Sequence, residues 1–249
     1  MKDNFSSQAD LYAKYRPDYP PELFEFILKQ VKGRHAAWDC GTGNGQSAKE
    51  LAKHFTYVYA TDISQKQLNE AVKADNIVYS LQPAEKTDFA AHSFDLVTIS
   101  QALHWFKFEA FYNEVRRVGK PGSWIAAWTY SLLTISKDID ELINDMHYKK
   151  TLAGYWDNER KYVDDHYTSI PFPFAEIETP TVYIKRSWTI HELEGYLNTW
   201  SGLQKFIAVN NYNPVDDLMK QISKHWPQGE GATRQVLFPI HLRMGPIDK

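Results

Sequence analysis

Apolar residues recur along this chain with two periods. Short, nearly continuous apolar runs mark buried strands, and stretches where apolar residues return every three or four positions mark amphipathic helices. The predicted strands are 36–38 with Asp39 at the end, 57–61 closing on Asp62, 76–81, 94–100 and 123–130. Between them lie predicted helices. One carries Leu23, Phe26, Ile27 and Val31; the next carries Ala48, Leu51, Ala52 and Phe55. A third, behind the capping box Ser64-Gln-Lys-Gln67, buries Leu68, Ala71 and Val72. A fourth, over 107–118, aligns Phe108, Phe111, Tyr112 and Val115, and Lys120-Pro-Gly122 reads as a turn. Strand and helix alternate, which predicts an α/β fold with a doubly wound parallel sheet and right-handed crossovers.

Beyond residue 130 the alternation lapses. Ile139, Leu142, Ile143 and Met146 predict a helix, followed by a polar aromatic stretch from Tyr155-Trp-Asp-Asn to Tyr167. Residues 176–188 are strand-like. Thr189-Ile-His-Glu192 is a capping box opening a helix with Leu193, Tyr196, Leu197 and Trp200 on one face. Asn213-Pro214 starts another helix, and 235–244 is a final strand. The expected organisation is one domain over 1–249. N-terminal lid helices occupy 1–32, a cofactor-binding half 33–130, a helical substrate cap with one sheet strand 131–230, and the last strand 231–249.

Composition narrows the class. With 249 residues, 43% hydrophobic and 24% charged, the chain suits a globular protein with a sizeable core. A net charge of −3 gives no basic footprint, so nucleic acid is not an expected partner. The N-terminus has no signal-like apolar region, and no apolar run reaches the length of a membrane span. The one cysteine, Cys40, reads as a buried filler in a protein of the reducing cytoplasm. The histidines show no paired metal-ligand spacing, so no metal is expected. Oligomeric state is not legible. Aromatic residues make up 14% of the chain, and many fall outside the strands, as they would around a small-molecule pocket.

The chemistry concentrates at His35-Ala-Ala-Trp-Asp-Cys-Gly-Thr-Gly-Asn-Gly45, a strand, a glycine turn and a helix N-terminus. Glycines let the chain reverse and let a ligand touch bare backbone, and the helix start adds N–H donors. The dinucleotide fingerprint wants a third glycine where this chain has Gln46. Asp39 suits an amino-bearing or cationic ligand better than a pyrophosphate. Asp62, ~20 residues past the glycines, is placed for ribose hydroxyls. Asp62 serves either cofactor, since both carry an adenosine ribose; Asp39 and the missing third glycine favour S-adenosylmethionine over a nicotinamide cofactor. A nicotinamide-dependent oxidoreductase, or a cofactor-binding protein without turnover, are the alternatives.

The motifs as placed resemble the class I S-adenosylmethionine-dependent methyltransferases. Within them the chain is most similar to the small-molecule branch that includes trans-aconitate methyltransferase. Asp39-Cys-Gly-Thr-Gly-Asn-Gly45 resembles motif I, Gln101-Ala-Leu-His-Trp-Phe106 the motif after the fourth strand, and Tyr12-Ala-Lys-Tyr-Arg-Pro-Asp-Tyr-Pro20 the N-terminal segment that folds over the cofactor. Trp188 to Ser201 resembles the helix roofing the substrate. The resemblance implies a seven-stranded, mostly parallel Rossmann-like sheet. It implies cofactor contacts from Tyr12, Asp39, Gly41, Thr42, Gly43, Gly45, Asp62, Ile63, Ala84, Glu85, Ser100 and Gln101. Where many relatives carry Asp-Ala-Glu, this chain has Pro83-Ala84-Glu85, which leaves the adenine to backbone at Ala84 and to Glu85.

For the acceptor, a carboxylate would attack without a base but would need a cationic anchor, Arg16 or Arg186. A phenol or amine would want a base, and His104 is the histidine placed for it. His104 could equally be a packed ring fixing its loop, with Trp105 as wall. The expected activity is methyl transfer to a small molecule, on a carboxylate oxygen, with His104, Trp105 and Arg16 at the reacting end.

Overall fold

The computed structural model describes residues 15–227, 229 and 231–247. The first 14 residues of the expected N-terminal lid, Tyr12 among them, lie outside the described residues.

Strands β1 (Ala36–Cys40), β2 (Tyr57–Asp62), β3 (Ile77–Leu81), β4 (Phe94–Ser100), β5 (Gly119–Tyr130), β6 (Val182–Thr189) and β7 (Thr233–Pro246) form one seven-stranded sheet in the order β3-β2-β1-β4-β5-β7-β6. Strands β1 to β5 run parallel, and β7 is antiparallel to both β5 and β6. The central strands explain their apolar runs: every residue of β1 is buried, and all of β4 except Ser100. The chain leaves β1 in one direction across the sheet and β4 in the other, so a crevice opens between their C-terminal ends, where such sheets bind ligands.

The two ends of the sheet differ in kind. At the N-terminal ends, Asp95 is a staple. It accepts from the backbone N–H groups of His35 and Ala36 (3.0 and 2.9 Å) and pairs with Lys120 at 2.9 Å. Toward the middle of the sheet, Trp38 Nε1 donates to Thr61 Oγ1 (2.9 Å) and joins β1 to β2 beside a cluster of Phe89, Phe94 and Tyr59 rings. These contacts serve stability. The loops at the opposite end carry the candidate site.

Helices α1 (Pro21–Gln30), α2 (Gln46–Leu51), α3 (Gln65–Asn69) and α4 (Phe108–Val118) accompany the parallel strands. In α4, Phe111, Tyr112, Val115 and Val118 face the core as the periodicity predicts. α3 is shorter than its pattern suggests. Ser64 caps it by accepting from Gln67 N, but Val72 falls beyond the helix and is exposed. The Lys120-Pro-Gly122 segment is an irregularity inside β5 instead of a turn before it, because Gly119 already pairs with Phe94 and the register shifts by Leu96.

The later half holds α5, helical over Lys137–Glu141 and continuing as a π-helix over Leu142–Thr151, then α6 (Arg160–Asp164), α7 (Ile190–Leu197), α8 (Ser201–Asn210) and α9 (Val215–Ile222). The widened helix is closed by Leu152 N donating to His147 O at 3.0 Å. The Met146 side chain lies outside the description. The capping box at Thr189 and Glu192 forms on both sides, and Asn213 Oδ1 caps α9 through Val215 N at 3.1 Å. The helix begun at Ile190 does not reach Trp200. It stops at Leu197, and Trp200 precedes α8 as a buried ring. Residues 176–181 are not in a strand, although Ile177 N bonds to Met244 O.

Candidate active site

The glycine turn is built by backbone. Gly41, Gly43 and Gly45 have φ of +67°, +57° and +83°, the left-handed region that L side chains seldom adopt. Gly41 is needed twice over, since a Cβ there would lie 2.6 Å from Ala102 Cβ, in the loop after β4. The turn and that loop therefore touch, and two candidate sites become neighbours. At Gly43 a Cβ would meet only Gln67 Oε1 at 3.8 Å, so bare backbone faces open space.

Asp39 lies beneath this turn, fully buried. Its carboxylate accepts from Thr42 Oγ1 at 2.5 Å and Thr98 Oγ1 at 2.7 Å. Burial pushes its pKa up to about 6, against the pull of those hydroxyls and the Ala48 N–H. The contacts in place tie the turn to β4 and to the start of α2. Asp62 ends β2 and accepts from Gly43 N and Ser64 N, both at 2.9 Å. A carboxylate has about four acceptor positions, so these bonds do not exhaust it. Ile63 follows, half-buried. Ala84 is buried, and Glu85 Oε1 accepts from Lys107 N at 2.9 Å, which fixes the acid between the loops after β3 and β4. Open glycine backbone, an acid at the end of β2 and the crevice position fit an adenosine-bearing cofactor with an amino acid tail.

Beyond the turn is a small cleft of about 60 Å³. Four distant segments line it: Arg16; Gln101, His104 and Trp105 after β4; Trp156, Asp157, Arg160 and Val163; and Trp200 with Ser201. Ser100 stands at the end of β4. Gln101 follows with φ of +54°, a strained conformation for a residue with a side chain. Its amide is held by Thr129 Oγ1, which donates to Oε1 at 2.5 Å, and by Tyr130 O, which accepts from Nε2 at 3.4 Å.

His104 Nδ1 meets Tyr167 Oη at 2.7 Å, and burial, with Arg160 nearby, lowers the imidazole pKa to about 3. The ring is neutral at physiological pH. Arg16 donates to Tyr130 Oη at 2.7 Å and lies over the Tyr196 ring. Arg160 donates to Tyr148 Oη at 2.7 Å and lies over Trp156. Asp157 is neutralised by Lys205 at 2.6 Å.

The cleft thus gathers Arg16, Gln101, His104 and Trp105 as expected, and adds Arg160. No helical or strand period singled out Arg160; the aromatic stretch around Trp156 is the only sequence signal near it. Arg186 is a correction to the pair of expected anchors. It projects from β6 into a separate surface groove and donates to Asp18 O at 3.1 Å.

A doubly wound sheet with a glycine turn at its switch point and an aromatic, cationic cleft beside it defines a nucleotide-cofactor enzyme. Comparison with known proteins gives the family. Residues 38–127 match the family described as methyltransferase domain. A methyltransferase of Dictyostelium discoideum is 34% identical over 245 residues, covering 96% of this chain and 93% of the relative. One of Schizosaccharomyces pombe is 30% identical, covering 95% and 93%. The solved structure of a type II methyltransferase from Anaeromyxobacter dehalogenans is 34% identical, with a TM-score of 0.87 over 94% of this chain and 98% of that one. The chain belongs to the class I S-adenosylmethionine-dependent methyltransferases. It is an enzyme of that class, with S-adenosylmethionine as cofactor, and the nicotinamide reading falls away. Among the described residues, no helix is long and apolar enough to cross a membrane and no cluster of His, Cys, Asp or Glu could hold a metal.

Proposed function

We propose that this cytoplasmic methyltransferase acts on a small organic acid held in the cleft, and that a carboxylate oxygen is the methyl acceptor. The observation that carries the reading is the pair of guanidinium groups, Arg16 and Arg160, in a cleft walled by Trp105, Trp156 and Trp200, where Asp157 is already paired with Lys205. Burying a carboxylate there without a cation would be prohibitive, and guanidinium groups match its geometry. His104 supports the same reading: a ring whose pKa is lowered to about 3 is a poor proton acceptor at neutral pH, and a carboxylate nucleophile needs none.

Bound S-adenosylmethionine supplies a sulfonium methyl already activated for in-line attack. The chain's own work is binding, orientation and drying. Gly41, Thr42, Gly43 and Gly45 would present backbone to the cofactor's amino acid tail, with Asp39 holding the turn in shape beneath them. Asp62 and Ile63 would take the ribose edge, Ala84 and Glu85 the adenine edge, and Ser100 and Gln101 the side facing the acceptor; Tyr12 belongs to the same set. Trp105, Trp156 and Trp200 exclude water, which strips hydration from the nucleophile and raises its reactivity.

The test offers methyl-labelled cofactor to the protein with matched panels of organic acids, phenols, amines and peptides. Base-labile methyl esters formed from acids alone support the reading. Preferred methylation of a phenol, an amine or a protein overturns it.

A further inference from the structure

Arg16 and Arg160 reach the cleft on different terms. Arg16 spends Nη1 on Tyr130 Oη at 2.7 Å, and its Nη2 lies 3.5 Å from Thr199 O. Arg160 is held at the opposite edge of its guanidinium. Its Nε donates to Tyr148 Oη at 2.7 Å, with Asp164 Oδ1 at 3.3 Å, and Tyr148 Oη donates in turn to Asp164 Oδ1 at 2.6 Å. Each direction is forced, because a guanidinium only donates and a carboxylate only accepts. The phenol between them takes one proton and gives its own.

The faces of the group are fixed as well. Arg160 Cζ lies 5.3 Å from the Tyr148 ring centroid and 5.2 Å from that of Trp156. Those two rings are 4.6 Å apart, and Trp156 Nε1 donates to Tyr148 O at 3.3 Å. Trp156 also lies against bare backbone of α8, since a Cβ at Gly202 would be 2.8 Å from its ring. Tyr148 comes from the π-helical stretch, where His147 and Tyr148 are buried in succession, each with its ring near Trp200. Widened turns of this kind gather at functional sites, and this one delivers a phenol to Arg160. Among the described residues, Nη1 and Nη2 of Arg160 make no hydrogen bond, and the residue lines the cleft.

We infer that Tyr148 and Asp164 are positioning residues: by occupying Arg160 Nε they leave the Nη pair as an end-on fork, which takes the two oxygens of one acceptor carboxylate. The substrate half of this inference rests on the carboxylate reading above; the aim of Arg160 does not. A guanidinium can grip a carboxylate through Nε and one Nη or through both Nη groups. With Nε spent inside the protein, only the second grip remains, and the acid has one approach. Each carboxylate oxygen has two lone pairs, and the fork uses one of them. The other is free to form the bond to the methyl carbon as the sulfonium bond breaks onto sulfur, and no proton moves.

The test has a kinetic arm and a spectroscopic arm. In the first, the acceptor is the acid of the panel above with the highest kcat/KM. Tyr148→Phe keeps both ring contacts and removes the hydroxyl. It is expected to raise the acceptor KM about fivefold with kcat held within about twofold. Arg160→Lys keeps the charge but has neither the Nε bond nor the fork, and KM should rise about tenfold. In an Arg160→Ala chain, Tyr148→Phe should add less than about twofold, because a residue that acts through Arg160 then has nothing to position. Effects of the two that multiply in full overturn the inference, and so does an Arg160→Lys enzyme with unchanged KM. Asp164→Ala breaks the same relay from its exposed end should Tyr148→Phe fold poorly.

In the second arm the full chain, labelled with nitrogen-15 in arginine and saturated with S-adenosylhomocysteine, is followed by NMR without any acceptor. Arg160 is assigned by the signal lost in Arg160→Lys. Its Nε–H is expected to exchange with water at least about tenfold more slowly than in Tyr148→Phe or Asp164→Ala. Equal exchange with and without the relay overturns the positioning whatever the enzyme methylates. If phenols or amines are methylated and acids are not, the carboxylate reading fails, and the exchange rates alone decide whether Tyr148 aims Arg160.

Discussion

The glycine turn and the acceptor cleft adjoin one another at Gly41 and Ala102, yet they are made by opposite means. The turn is local: three glycines with positive φ, one buried acid and one helix start, all between Asp39 and Ala48. What it exposes is main chain, and side chains near it hold the backbone. The cleft is assembled from four segments, with Arg16 and Ser201 at its extremes. Its lining is side chains, several of them fixed by a partner far along the chain, such as Arg16 by Tyr130 and His104 by Tyr167. A backbone site tolerates little substitution and binds one kind of ligand, whereas a side-chain site can change its ligand while the fold stays the same.

That contrast is broken most sharply at Gly41. In Gly41→Val a β-branched residue would have to take φ of +67° with its Cβ 2.6 Å from Ala102. The turn must shift, and affinity for S-adenosylhomocysteine is expected to fall on the order of 100-fold by calorimetry. Binding within threefold of the unsubstituted enzyme would show that the turn is not the cofactor site.

The cleft should respond differently. Arg160→Ala and Arg16→Ala each remove one guanidinium while leaving the glycine turn intact. Each is expected to raise the acceptor KM about 10-fold or more with kcat changed within about threefold, the pattern of an anchor used equally in ground and transition states. Cofactor affinity should hold within about threefold. Loss of kcat with an unchanged KM would instead place these arginines on the reacting atoms.

The same contrast explains what could be read from the sequence. Strands β1, β2 and β4, the glycine turn and Asp62 were legible because each is written in consecutive residues: an apolar run, a cluster of glycines, an acid at a strand end. The capping box at Thr189 was legible for the same reason. Arg160 was not, because its relevance comes from Trp156 and from the proximity of His104, neither of which a period reveals. Arg186 was misread because a strand residue carries no sequence mark saying which side of the sheet it reaches. The interruption of the helix at Leu197 was missed because Trp200 keeps the helical spacing while the chain between them turns. Tyr167, with the only path to His104 Nδ1 in the described residues, carried no signal beyond its place in an aromatic stretch.

Asp39 offers a smaller test, on stability. A buried carboxyl with its pKa raised to about 6 destabilises the folded chain in its charged form. The sign follows from proton binding. The folded state binds the proton more tightly than the unfolded state, so the penalty is full above about pH 6. It fades as the pH falls toward the unfolded value near 4. The shift of roughly two units corresponds to about 3 kcal/mol. Asp39→Asn keeps an acceptor for one hydroxyl and loses the charge. It is expected to stabilise the protein by about 1–3 kcal/mol at pH 8 and by little at pH 4.5, read from urea unfolding at both. A gain independent of pH would mean that the fold does not raise the Asp39 pKa above its unfolded value.

The smallest effect belongs to Arg186→Ala, and it separates the two expected anchors. Arg186 donates to Asp18 O at 3.1 Å and stands 3.8 Å from the Asp18 carboxylate, which is 77% exposed. Such an exposed pair is worth about 0.2–1 kcal/mol, screened further by salt. Its one route to the cleft is mechanical, since Asp18 is two residues from Arg16, and Pro17 between them limits how far slack can travel. Arg16 is also held from the other side, by Tyr130 Oη and by Gln46, which reaches its carbonyl at 3.5 Å. Loosening Asp18 should therefore move Arg16 little, and the acceptor KM of Arg186→Ala is expected within about twofold of the unsubstituted enzyme. A tenfold rise in KM, matching Arg16→Ala, would mean that the segment from Arg16 to Pro20 moves as one body and that Arg186 tunes the cleft from the far edge of the sheet.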